Sequence, residues 1–177
     1  MPLYSFEGLT PQVHPQAFIA PTATLVGDVI VEIGASIWYG AVIRADYAPV
    51  IVRAGAHVQE NATIHGPPGL TTDIGPGVTV AHNCVVHGSI LEEECLIANG
   101  AIVLDGSTIG AGTLVAAGSV VPANSKIPPN MLVAGAPAVI KRPLKGTGAE
   151  MWVQVNPGAY AELAQRHKRG IQQVGEY

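Results

Sequence analysis

Three of the six histidines stand at spacings that can build a metal centre. His65 follows Ile64, His87 follows Val86, and His82 lies two residues past Val80; each of those aliphatic residues belongs to a six-residue lattice. Counted in hexads, His65 and His87 hold the same second position three hexads apart. Three hexads make one triangular coil, so the two histidines stack at the inter-strand spacing of about 4.8 Å. Both imidazoles then reach one ion at ~2.1 Å. His82, at the third position of its hexad, falls on another side of the triangle. It can share that ion only from a second subunit, which a cyclic homotrimer supplies three times. Three histidines with an open position form a catalytic zinc arrangement, in which bound water becomes hydroxide near neutral pH. His14, His57 and His167 show no such relation and receive no metal role.

The same counting places further polar groups. Arg44 holds the second position one coil below His65, and Asp46 follows two residues later. Gln59 and Glu60 lie on the side that carries His82 one coil on, so they would face the Arg44/His65/His87 column of a neighbour. Gln59 is a candidate to hold a metal-bound hydroxide or a bicarbonate oxygen through its neutral amide. For Arg44, Asp46 and Glu60 two roles stay open, an ion-pair network holding the trimer and a direct part in the chemistry.

The elements that position these residues follow from the repeat. Its first positions are Ile19, Leu25, Val31, Ile37 and Ile43; then Val52, Val58 and Ile64; then Ile74, Val80 and Val86; then Leu91 to Ile127 at six-residue steps. A 3.6-residue period does not fit, nor does strict alternation. A solenoid of short strands does, with about six coils. First positions point inward, and small fifth positions such as Ala62, Cys84 and Ala101 suit the narrow interior. The expected division is a β-helix domain over 1–143 and a helical tail over 144–177. In the tail, Thr147 and Glu150 suit a capping box. Asn156-Pro157-Gly158 interrupts it, and Ala159 to Arg169 reads as a helix packed along the prism, with Tyr160, Leu163 and Ala164 on one face. Gly170 to Tyr177 reads as a loose end.

Charged residues are 12% of the 177, against roughly 25% in an average soluble chain, which suggests faces buried between subunits. A net charge of −4 argues against a nucleic-acid partner. No apolar run reaches the ~18 residues of a membrane span, and neither a membrane segment nor a signal peptide is expected. Cys84 and Cys95, both at inward fifth positions, read as buried free thiols. A cytoplasmic location is expected.

Four segments taken together resemble the γ-class carbonic anhydrases among the hexapeptide-repeat proteins. They are Arg44-Ala45-Asp46, Val58-Gln59-Glu60-Asn61, Ile64-His65-Gly66, and Val80 to Gly88 with His82 and His87. The segment Pro129 to Ala138 is similar to the end-of-prism segment of that superfamily. The resemblance implies a left-handed parallel β-helix and a homotrimer. It implies zinc, or iron or cobalt, held by His65 and His87 of one chain and His82 of the next. It further implies that Gln59 orients the hydroxide, that Arg44 and Asp46 serve the interface and bicarbonate, and that Tyr160 reaches toward the metal. The activity implied is reversible hydration of carbon dioxide to bicarbonate. Tyr47 stands where active members carry a glutamate, and Pro67 to Thr72 lacks their acidic loop. Two other readings compete. One is a CoA-dependent acyltransferase, which needs one general-base histidine and a CoA groove. The other is a catalytically weak trimer serving as a binding or scaffold protein.

Overall fold

The computed structural model describes residues 2–175; Glu176 and Tyr177, the end of the expected loose segment, lie outside them. The chain winds into a left-handed parallel β-helix, and its short strands form an eight-stranded sheet and a twelve-stranded sheet. The larger sheet turns a corner. Its strand Val42–Val52 pairs with Thr63–His65 through one half and with Thr72–Ile74 through the other. The rungs Leu25, Ile43, Ile64, Val86, Val103 and Val121 stack in register down one inner wall. All six side chains are fully buried, so the first-position lattice is the core itself.

The small fifth positions lie at the inner corners. Ala23, Ala41, Ala62, Cys84 and Ala101 are fully buried there, and Ser119 nearly so. Both cysteines are free and buried. Burial pushes the Cys84 thiol up to about 11, so neither cysteine is poised as a nucleophile. The smaller sheet holds seven parallel rungs, from Phe18–Ile19 to Met131–Gly135, one more than hexad counting gives. The extra rung comes from Val133, which keeps the six-residue phase after Ile127 and is fully buried. The strand Ala138–Pro143 then folds back antiparallel upon it.

The C-terminal helix runs unbroken over Gly148–Gly170; the sequence reading expected a capped start at Thr147, an interruption at Asn156-Pro157-Gly158 and a helix over Ala159 to Arg169. Thr147 caps it, accepting from the Glu150 backbone at 3.3 Å, while the Glu150 carboxylate accepts from Gly146 N at 2.7 Å. Pro157 lies inside and removes one helical hydrogen bond. The helix persists because it is anchored on both sides of that point. Val153 packs with Leu96 and Leu144, and Ala164 joins the main core. Tyr160 and Leu163, expected on the same face, pack half-buried against that core. Among the described residues no helix is long and apolar enough to cross a membrane.

Candidate functional site

The structure divides the site residues expected from sequence between two faces of the prism. On the first, Arg44, His65 and His87 occupy successive rungs. Asp46 reaches them because the chain bulges at the corner. Ala45 pairs with Gly27 and Val50 with Val29, which leaves Asp46 to Pro49 outside the lattice. Asp46 forms an ion pair with Arg44 and lies 2.9 Å from His65 Nε2. His65 Nδ1 lies 2.9 Å from His87 Nε2, and His87 Nδ1 contacts the Asp105 carboxylate. Burial pulls the Asp46 carboxyl upward, but hydrogen bonds from His65 and Arg44 outweigh it and hold the group below its usual range.

The backbone around these histidines leaves little room. A Cβ on Gly66 would meet the Ala48 carbonyl oxygen at 2.2 Å, so glycine is required beside His65. The Thr72 hydroxyl, fully buried, donates to His65 O at 2.5 Å and accepts from Gly88 N at 2.9 Å. Sequence reasoning missed Asp105. The signal was available: Leu104 extends the Arg44/His65/His87 column by one rung, and Asp105 follows it.

The second face carries Tyr39, Glu60, His82 and Asn99 in one column. Backbone bonds hold it, from Asn61 N to Tyr39 O, Asn83 N to Glu60 O and Gly100 N to His82 O, at 2.8–3.1 Å. His82 Nδ1 lies 2.7 Å from Glu60 Oε2, an ion-pair contact that is not aligned as a hydrogen bond. Its ring opens into a cavity of about 380 Å³ between the prism and the C-terminal helix. Gln59, Asn99 and Thr79 line it from the prism, and Trp152, Asn156 and Tyr160 from the helix. Gln59 is 2% exposed. Asn156 Nδ2 donates to Thr79 Oγ1 at 3.2 Å. Tyr160 stacks flat on His57, ring centroids 4.4 Å apart. Burial and then the Glu60 charge raise the Tyr160 and Tyr39 hydroxyls above their ordinary value.

Within the chain, then, Gln59, Glu60, His82 and Tyr160 come together, and Arg44, Asp46, His65 and His87 come together elsewhere. The helix contributions beyond Tyr160 were missed, because Trp152 and Asn156 lie before the Ala159 to Arg169 segment that the sequence reading packed on the prism. Nothing in the spacing of His57 disclosed its stack on Tyr160. Chemically, the second face offers one histidine base with a carboxylate at its back, uncharged amides around it, and a partly enclosed space for a substrate.

No family model matches the chain. It is 38% identical to the carnitine operon protein CaiE of Citrobacter koseri over 172 residues, 97% of this chain and 86% of the relative. It is 36% identical to the protein of that name from Escherichia coli O157:H7 over 166 residues, 94% of this chain and 84% of the relative. Among solved structures, a Bacillus cereus protein named provisionally as an acetyltransferase is similar with a TM-score of 0.91 and 36% identity, over 94% of this chain and 96% of that one. A hexapeptide transferase family protein from Anaplasma phagocytophilum gives 0.87 and 33%, over 93% and 96%. These findings correct the expected zinc, with its iron or cobalt variants. Among the described residues no three His, Cys, Asp or Glu side chains are placed to hold a metal ion. His65 and His87 turn their facing nitrogens on each other, and the solved relatives carry transferase names.

Proposed function

Since the chain belongs to the hexapeptide transferase family of left-handed β-helix proteins, we propose that it transfers an acyl group from a CoA thioester to a small acceptor. His82 is the general base of this reaction. The observation that carries the reading is the His82–Glu60 contact of 2.7 Å at the cavity beneath the helix. With the Glu60 carboxylate beside Nδ1, Nε2 is the ring nitrogen left facing the cavity to take a proton. Nε2 removes the acceptor's O–H or N–H proton as its oxygen or nitrogen attacks the thioester carbonyl. The C–S bond then breaks, and the sulfur leaves with the proton held by His82. The products are the acylated acceptor and free CoA thiol. Gln59, buried at the cavity wall, is assigned to donate to the oxyanion that develops during attack. Tyr160 shapes the cavity, and Glu60 orients His82.

The length of the face supports this reading. Thr79, Leu96, Leu114 and Leu132 climb it on successive rungs, a rise of ~14 Å at ordinary strand spacing. Arg142 pairs with Leu132 at the top, and Lys141, Arg142 and Lys145 are exposed there. Leu96 and Leu114 line the cavity itself, and apolar walls suit the pantetheine end of a CoA thioester. Arg44, Asp46, His65 and His87 are assigned to the face that a neighbouring chain of a homotrimer brings against the cavity. CoA thioesters place the activity in the cytoplasm. Hydration of carbon dioxide, with bicarbonate as product, loses its warrant with the metal on which it depended.

The test is CoA binding by calorimetry together with thiol release from acetyl-CoA across a panel of amine and alcohol acceptors. Wild type should bind CoA and turn over at least one acceptor. His82→Ala should lower turnover by about 10²–10⁴-fold with CoA affinity kept. A wild type that does not bind CoA overturns the proposal; binding without turnover of any acceptor would leave a binding protein in its place.

A further inference from the structure

His57 lies beneath the C-terminal helix, 1% exposed, and among the described residues neither of its ring nitrogens has a hydrogen-bond partner. Its ring lies 5° from parallel with Tyr160 at 4.4 Å. Its neighbours on the rungs to either side are Ser36 and Thr79, both uncharged, and the Thr79 hydroxyl is taken by Asn156. We infer that His57 is a positioning residue for the His82 cavity: its uncharged ring seats Tyr160 against the prism, and the helix closes over the cavity only while His57 carries no proton charge.

The consequence for turnover rests on the acyl-transfer reading, but the closing motion does not. The helix is built to open in parts. Pro157 interrupts its hydrogen bonding three residues before Tyr160, and Gly158 follows. The first half is held by Val153 on Leu96 and Leu144. The second half is held by Ala164 in the main core, by Tyr160, packed edge-on to Trp38 at 5.4 Å, by His167, whose Nδ1 is 2.9 Å from the Tyr39 hydroxyl, and by Lys168, which donates to Pro15 O at 2.6 Å. In the proposed opening the second half lifts about the Pro157 break while the first stays seated.

The ionisable group that lies against His57 is Tyr160; on the rungs to either side stand the uncharged Ser36 and Thr79. Glu60 bears on Tyr39 and Tyr160. For His57 the cause that acts is burial, which pushes it down to about 3. In an opened helix the ring is wetted and returns to its ordinary value near 6.5. A depressed base favours the closed state fully above ~6.5, and that preference is lost as pH falls toward the closed-state value. The open-to-closed ratio accordingly rises up to tenfold for each pH unit across that window.

The experiment follows tryptophan fluorescence of the full chain from pH 8 to 4, with far-ultraviolet circular dichroism watching the prism. Trp38 reports the Tyr160 contact and Trp152 the cavity wall. Wild type should show a transition below pH 6.5 with its β signal intact. His57→Phe, which keeps a flat ring and cannot charge, should lack it; His167→Gln should retain it. If His57→Phe does not fold, His57→Gln must lack the transition. An acid transition that persists in the uncharged variants, is lost in His167→Gln, or is missing from wild type overturns the inference. In the acyl-transfer assay the same variants should lose less activity between pH 6.5 and 5 than wild type. A chain with the fluorescence transition and no transferase activity would sink the proposed function and spare the lid.

Discussion

Replacing Ile64 by alanine tests whether the prism is held by its inner wall. Ile64 is fully buried and sits between Ile43 and Val86 on adjacent rungs. Truncation removes three carbons, worth about 2.4 kcal/mol at ~0.8 kcal/mol each. The space left behind cannot easily collapse. The rungs to either side are fixed by backbone hydrogen bonds such as Thr63 N to Cys84 O at 2.8 Å, which hold the coil spacing. A cavity term therefore adds to the transfer term, for a cost of about 3–4 kcal/mol. In a chain of this size each kcal/mol lowers Tm by ~2–4 °C, which gives a fall of roughly 6–16 °C. Ile90→Ala is the matched control. It deletes the same atoms from an outward position that is 49% exposed, and should cost under ~1 kcal/mol or ~3 °C. Thermal melts followed by circular dichroism decide the matter. Equal shifts for the two variants would refute the assignment of first positions to the core.

Two further outcomes are expected. Gly66→Ala forces a Cβ to within 2.2 Å of the Ala48 carbonyl oxygen, so the corner must shift. A loss of about 1–3 kcal/mol in a urea titration, with changed His65 and His87 ring signals in NMR spectra, is expected, and an unperturbed pair would count against the close approach. Thr147→Ala removes the helix cap at a cost of about 1 kcal/mol. Faster amide exchange confined to the first helical turn is the readout, and protection equal to wild type would show the cap to be idle.

Fold and site were legible to different depths, for a physical reason. A first-position aliphatic residue has one place to go, so Leu25 through Val121 could be stacked from spacing alone. The register of Arg44, His65 and His87 was equally forced. The seventh rung was hidden in the exit segment because Val133 lies among Pro129, Gly135 and Pro137, which read as an ending. The continuity of the helix past its capped start was obscured by Pro157. Proline carries a local cost that sequence shows, whereas the packing of Val153 against Leu96 and Leu144, which offsets it, is long-range.

The chemistry was harder to read because it depends on where the lattice breaks. Phase counting placed His82 away from the His65/His87 column, and the structure agrees. Whether His65 and His87 face an ion or each other depends on Asp46 and Asp105, which hold the outer nitrogens of the two rings. Asp46 arrives through a corner insertion that belongs to no hexad. Glu60, by contrast, stays inside the lattice directly below His82, and its contact with Nδ1 follows from stacking alone. One histidine with an in-register carboxylate suffices for a base. A shared metal would need two faces from different chains to meet, with His65 and His87 of one turned outward toward His82 of the other. Within the chain, the geometry therefore favours proton transfer at His82.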